Sequence, residues 1–180
     1  FHYGTYEKAD KSMAYGKFFG AASGFPTRWE PWETEIGEPG ALFSDGGTAE
    51  FAPDALFYGG WYNYGKYQHA WQWKAGALAC DLNSNSAQGL RDAGTASFLC
   101  QAFQENLTAG AGAIAEPYLN GHNKPDVLLA YVLAGYPWAE VSMLSENCVK
   151  WMGLHVGDPL YRIDMAAAVA DVAAPAPFAW

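Results

Sequence analysis

Short apolar runs alternate along the chain with stretches of helical periodicity. Residues 7–22 place Met13, Phe18 and Phe19 at the spacing of an amphipathic helix. The predicted strands are 55–58, 76–82, 111–115 and 151–156, and the later predicted helices are 95–108, 126–135 and 138–146. Because the strands are small and apolar throughout and alternate with helices, we predict a layered α/β domain with a mostly parallel sheet.

Two segments lack this pattern. Residues 26–53 hold two tryptophans and six acidic residues but show no period of 2 or 3.6, which predicts a long ordered loop. Residues 166–180 are rich in Ala, Pro and Val, and we expect a peripheral extension there. The prediction is therefore a single α/β domain over residues 1–165, followed by this C-terminal extension.

Composition and charge narrow the choice of partners. The chain has 180 residues, of which 51% are hydrophobic and 16% charged, and this excludes a disordered polyampholyte. The formal net charge of −9 argues against nucleic acid or an anionic membrane surface as the partner. Without a run of about 18 apolar residues, no transmembrane segment is predicted. The chain begins with Phe1 rather than Met, so we expect a piece processed from a longer protein.

The spacing of the cysteines and the absence of known catalytic motifs leave few candidate catalytic or metal sites. Cys80, Cys100 and Cys148 form no CxxC pair, so neither a disulfide scaffold nor a zinc site is predicted. Three reduced thiols are favoured over one bridge with a spare thiol. The sequence has no HExxH, GxGxxG, GxxxxGK[ST] or GxSxG pattern. We therefore predict no metal and no cofactor.

Five motifs occur in order and together resemble an uncharacterised bacterial family. They are GWYNYGKY at 60–67, GALACDLNSNSAQGLR at 76–91, AEPYL at 115–119, LAGYPWAE at 133–140 and HVGDPLYR at 155–162. Members of that family typically read GWYSxGKY, EPYL, LxGYxxxEA and VGDPLY in their C-terminal half. The resemblance covers about residues 50–163 and identifies the chain with that C-terminal half.

The same region is similar, more distantly, to gingipain-type cysteine peptidases. The resemblance implies a caspase-like arrangement in which Cys80 falls at the place of the nucleophile. In those peptidases the base is the His of a His-Gly pair that ends the preceding strand. The matching segment here, 58–61, is Tyr-Gly-Gly-Trp and contains no His. The remaining candidate base is His69, with backbone N–H groups near 83–86 as oxyanion donors.

Aromatic residues and one carboxylate are the candidate binding groups. The chain has 8 Trp, 11 Tyr and 10 Phe, an unusually high content. The candidate contact surface, for a protein partner or as a sugar-stacking platform, consists of Trp61, Tyr62, Tyr64, Tyr67, Trp71 and Trp73. Glu116 follows a predicted strand, at the edge where α/β sheets bind ligands, but a structural pairing with Lys66 or Arg91 is favoured.

These observations favour a non-catalytic, extracytoplasmic structural or interaction subunit that assembles through aromatic surface. Its partner would be another protein chain or further copies of itself. Two alternatives remain open at this point. One is a caspase-like cysteine hydrolase that uses Cys80 and His69, and the other is a carbohydrate-binding module that uses its tryptophans.

Overall fold

The computed structural model describes residues 6–25, 27–30, 52–61, 67, 69, 71–92 and 94–170. Within these ranges the helices are α1 (Tyr6–Ser23), α2 (Phe98–Gln104), α3 (Pro125–Leu133), α4 (Trp138–Leu144) and α5 (Met165–Ala170). The strands are β1 (Thr27–Glu30), β2 (Ala52–Gly60), β3 (Trp71–Asp81), β4 (Ala109–Ala113) and β5 (Gly153–Val156). A 3-10 turn spans Leu119–Gly121.

The described strands form one five-stranded sheet in the order β1-β2-β3-β4-β5. Strands β1 to β4 run parallel, and β5 is antiparallel to β4. The predicted mixed α/β fold with a mostly parallel sheet is therefore confirmed. In the centre of the sheet Gly59, Cys80 and Ala111 lie in register on neighbouring strands. This row of small residues leaves room for a helix directly above it.

Helices cover both faces of the sheet. On one face α2 packs against β3 and β4, with Phe98 5.2 Å from Tyr58 between ring centroids. On the other face α3 packs against β2, β3 and α1, and Trp29 lies 5.4 Å from Phe57. Burial on both faces explains why the central strands are apolar at every position rather than alternating.

Glycines in the central strands are required by this close packing. A Cβ atom at Gly59 would lie 2.7 Å from Pro125 Cβ and 2.8 Å from Trp29. On the opposite face a Cβ at Gly110 would lie 2.6 Å from Leu99. Real Cβ contacts are not this short, so the backbone of the sheet touches the helices directly.

The largest differences from the predicted strands are at β1 and β3. Thr27–Glu30, inside the segment 26–53 predicted as a loop, forms β1 beside β2. This strand has four residues and pairs through its backbone, so its side chains carry no periodic signal. Strand β3 starts at Trp71 rather than at residue 76, because an irregularity in the ladder lets it continue past Gly76, whose φ is +89°.

The helices also differ from the prediction in detail. α3 has Lys124 at its N-cap and begins at Pro125, one residue before the predicted start. Proline suits this position because it has no N–H to leave unpaired. α5 (Met165–Ala170) begins at the last residue of the predicted domain and continues into the predicted extension. Across the described residues, no helix is long and apolar enough to span a membrane.

We expect Gly59→Ala to lower the free energy of unfolding by about 1–3 kcal/mol, because the added methyl group overpacks the contact with Pro125 and Trp29. Urea unfolding followed by circular dichroism measures the change. The matched control is Gly94→Ala in an exposed loop, where the nearest atom to a new Cβ is 3.3 Å away. Equal stability of the two variants would contradict the proposed close packing.

Candidate functional site

Cys80 lies inside the sheet and is fully buried. Its neighbours in register are Gly59 and Ala111. Burial raises the pKa of the thiol well above its ordinary value, and the carboxylate of Asp81 raises it further. Because the thiolate is the nucleophile, a thiol held protonated and out of water cannot attack a substrate.

His69 belongs to a different cluster, at the start of β3. Its Nδ1 is hydrogen bonded to Glu105, which also accepts a hydrogen bond from the hydroxyl of Tyr67. That hydroxyl in turn accepts a hydrogen bond from Trp73 Nε1 at 3.1 Å. The four side chains tie the beginning of β3 to the end of α2.

The Cys80–His69 dyad is therefore not formed. Cys80 is the last residue but one of β3, and His69 precedes its first residue, so the two are about 30 Å apart at the rise of an extended strand. Three N–H groups of the expected oxyanion segment 83–86 are also committed within the protein. The N–H of Asn83 donates to Asp81 Oδ1 at 3.4 Å, and the N–H groups of 85 and 86 donate to the carbonyls of 115 and 83. This segment is a turn that closes on itself.

Two residues of the predicted aromatic surface, Trp71 and Trp73, are interior. Trp71 and Trp73 are only 7% and 8% exposed and stack on each other at 4.4 Å with parallel rings. They lie two residues apart on β3, so both point to the face that Phe98 of α2 covers. The prediction that these two residues belong to an exposed platform was therefore wrong. Trp61 and Tyr67 are half-buried, while Tyr62 and Tyr64 lie outside the described residues.

Polar side chains gather where β3 and β4 end. The carboxylate of Asp81 accepts hydrogen bonds from the backbone and the side-chain amide of Asn83, the latter at 3.0 Å. Ser84 donates a hydrogen bond to Glu116, whose other oxygen accepts from the N–H of Tyr118 at 3.2 Å. Glu116 thus joins the loops that follow the two strands.

Glu116 lies where the sequence places it, at the carboxyl edge of the sheet. Its side chain is exposed to solvent. Among the described residues its polar partners are Ser84 and Tyr118, and the favoured pairing with Arg91 is not formed. Lys66, the other expected partner, lies outside the described residues.

The structure adds His122, which is not among the candidate residues of the sequence. The imidazole is buried, only 5% exposed, with its ring 5.9 Å from that of Trp61 in an edge-to-face arrangement. Burial lowers the pKa of His122 to about 4, against the opposing effect of the Glu116 carboxylate. Trp61 follows β2, so the local string Asn-Gly-His-Asn gives no hint of this enclosure.

A second polar cluster holds β5 to the helices. The buried amide of Asn123 donates from Nδ2 to Ser145 Oγ at 3.0 Å and is hydrogen bonded to His155 Nε2, which lies 2.9 Å from Nδ2. Glu146 Oε2 lies 3.6 Å from the same His155 nitrogen. Burial lowers the pKa of His155 and raises that of Glu146, because it disfavours the charged form of each. His155, predicted as a strand residue, is confirmed in β5.

Helix α1 exposes apolar side chains that lie outside the hydrophobic core. Met13 and Gly16 of α1 are buried towards the sheet, while Tyr15, Phe18 and Phe19 are 60%, 66% and 42% exposed. With Ala14 they form a stripe at positions i, i+1, i+4 and i+5, which we call the α1 apolar face. The face and Lys11 line an open groove of about 710 Å³.

The cysteines and the acidic groups of the described ranges are placed apart from one another. Cys80 and Cys100 are buried free thiols and Cys148 is a half-buried free thiol. No group of three or more His, Cys, Asp or Glu side chains within the described ranges is placed to hold a metal ion.

Comparison of the chain with protein-family models, curated proteins and solved structures finds no match in any of the three.

We expect the three thiols to react in the order of their exposure. Iodoacetamide at slightly alkaline pH should modify Cys148 in the folded protein and modify Cys80 only after denaturation, because Cys80 is out of water and its pKa is raised. Peptide mass spectrometry gives the modified position. Rapid, stoichiometric modification of Cys80 in the native state would contradict its assignment as an inert core residue.

His122 should make stability depend on pH. Folding lowers the pKa of His122 from 6.5 to about 4. The part of the free energy of unfolding that depends on this neutral imidazole is therefore fully present above pH 6.5 and is lost as the pH falls towards 4. The free energy of unfolding should fall by about 3 kcal/mol over this range. Urea unfolding at several pH values should show a shallower pH dependence for His122→Gln than for the unmodified protein. Identical slopes would contradict the burial of a neutral imidazole.

Proposed function

We propose that this protein is a non-catalytic interaction subunit that associates with a second copy of itself through the α1 apolar face. The observation that carries the proposal is the exposure of Tyr15, Phe18 and Phe19 side by side on a helix whose opposite side already packs on the sheet. Contiguous exposed aromatic rings are a common mark of a protein contact.

The size of the α1 apolar face sets the expected strength of the contact. Its three rings leave about 300 Å² in water, so two copies would bury about 600 Å² between them. At 25 cal/mol per Å² this is about 15 kcal/mol before costs. The loss of translational and rotational freedom costs about 4–15 kcal/mol. We therefore expect a weak to moderate dimer rather than an obligate one.

The distribution of charge favours contact at this helix. The chain has a net charge of −9, so two copies repel each other over most of their surface. α1 is an exception, since it carries three lysines, at positions 8, 11 and 17, against two acidic residues, Glu7 and Asp10. Two α1 helices can approach with less repulsion than two acidic surfaces.

The environment of Cys80 supports the non-catalytic part of the proposal. A hydrolase would need an accessible thiolate with an imidazole in hydrogen-bonding reach. Here the thiol is buried, its pKa is raised, and His69 is engaged with Glu105 at the far end of the strand. Burial of Trp71 and Trp73 likewise removes the platform on which those two residues would have bound sugars.

The caspase-like arrangement and membership of the bacterial family remain part of this proposal. They rest on the five motifs and on the pairing of β2 with β3, which sets Gly59 beside Cys80. In the gingipain-type peptidases the corresponding strand end carries the catalytic His, so its replacement agrees with a non-catalytic relative. An extracytoplasmic location belongs to the same proposal, and cell fractionation would test it.

We expect the protein to show concentration-dependent association in sedimentation velocity between about 10 µM and about 1 mM. Phe18→Lys should weaken the dimer at least tenfold, because each interface would lose two central rings and gain two like charges. The exposure of Phe18 means that the variant should unfold at nearly the same temperature as the unmodified protein.

The matched control is Leu160→Lys, which makes the same change of charge at a residue 80% exposed in the loop after β5. Its association should equal that of the unmodified protein. Strictly monomeric behaviour throughout this range would overturn the proposal, and so would equal weakening by the two substitutions.

A further inference from the structure

The carboxyl ends of three adjacent strands bring together side chains that the α1 contact does not use. Trp61 follows β2, Ser84 follows β3 and Glu116 follows β4. The N–H of Leu82 donates to the carbonyl of Gly60 at 2.9 Å, and that of Asn85 to Ala115 at 3.2 Å, so the three strand ends adjoin. Ligands of α/β sheets bind at such carboxyl edges.

His122 lies among these strand ends. Its ring meets that of Trp61 at 5.9 Å, and the Glu116 carboxylate is close enough to act on its charge. The residue is only 5% exposed, and its ring nitrogens are not among the buried polar atoms that lack a partner. Since no protein group in the described part of the chain hydrogen bonds to them, these nitrogens are the part of the ring that reaches solvent at this edge.

The imidazole offers two hydrogen-bonding groups at this edge. Because His122 is neutral above about pH 4, it presents one N–H donor and one lone-pair acceptor. A ligand that supplies an acceptor and a donor can replace water on these two groups.

The neighbouring groups define the chemistry of that partner. The Glu116 carboxylate accepts hydrogen bonds and repels anions, which excludes a phosphate or carboxylate ligand. An ammonium group carries donors only, so it would satisfy the imidazole lone pair and leave the N–H unpaired. A hydroxyl both donates and accepts, so adjacent hydroxyls match His122 and Glu116 together. The half-buried ring of Trp61 adds an apolar surface.

We propose that this edge binds a neutral polyhydroxylated ligand, a sugar residue, whose adjacent hydroxyls bond to His122 and Glu116 and whose C–H face packs on Trp61. This site is separate from the α1 apolar face. It also differs from the tryptophan platform expected from the sequence, since of that set only Trp61 contributes to it.

The test is titration of the protein with the methyl glycosides of glucose, mannose, galactose and N-acetylglucosamine and with cellotriose and chitotriose. Isothermal calorimetry and tryptophan fluorescence are the two readouts. We expect at least one of these sugars to bind with a dissociation constant of about 0.1–10 mM. Inorganic phosphate and butylamine serve as the anionic and cationic probes and should not bind at this edge.

Two substitutions locate the site. Glu116→Gln keeps the shape of an exposed side chain, and His122→Gln keeps hydrogen bonding while removing the ring. Each should weaken sugar binding at least tenfold. The matched control, Glu140→Gln, makes the same change at an exposed position on α4 and should leave binding unchanged. Should His122→Gln fail to fold, Glu116→Gln still decides the question.

The result that overturns the proposal is the absence of binding by every sugar up to about 50 mM, a range that spans weak carbohydrate affinities. Binding that Glu116→Gln leaves unchanged would overturn it equally, as would preferential binding of phosphate or butylamine. The titration is repeated with Phe18→Lys, in which sugar binding should persist. This titration distinguishes the two proposals, because sugar binding by Phe18→Lys depends on the strand edge and not on the α1 contact.

Discussion

The structure depends on direct contact between helices and the backbone of the central strands. Gly59, Cys80 and Ala111 form a row of small residues across β2, β3 and β4, and Pro125 and Trp29 close down on its first member. On the other face Leu99 approaches Gly110 equally closely. Such contacts give dense packing with few rotatable groups, and they leave no space for water or substrate above the middle of the sheet.

That packing decides what the ionisable groups can do. In the row of small residues the Cys80 thiol stays protonated, and at the edge the His122 imidazole stays neutral, because burial disfavours the charged form in both cases. The two groups differ in what they can bind. The buried thiol acts as an apolar side chain of the core, whereas the imidazole keeps one donor and one acceptor that can bond to water or to a ligand.

Two surfaces then carry the proposed activities, and they differ in physical character. The α1 apolar face is open and aromatic, so it suits association driven by burial of apolar area. The edge around Glu116 is polar and anionic, so it suits a neutral ligand rich in hydroxyl groups. The α1 apolar face belongs to a helix, and the edge around Glu116 belongs to the ends of strands. A substitution in either surface can therefore leave the other surface intact.

The sequence by itself determined most elements, because the central strands are apolar at every position and the helices keep their period. It also placed Glu116 correctly at the end of a strand. It did not reveal β1, which has four residues and no period, nor that Trp71 and Trp73 continue β3 beneath Phe98. Only the tertiary structure decided these points and the burial of His122, since burial is set by side chains from distant segments and leaves no local pattern.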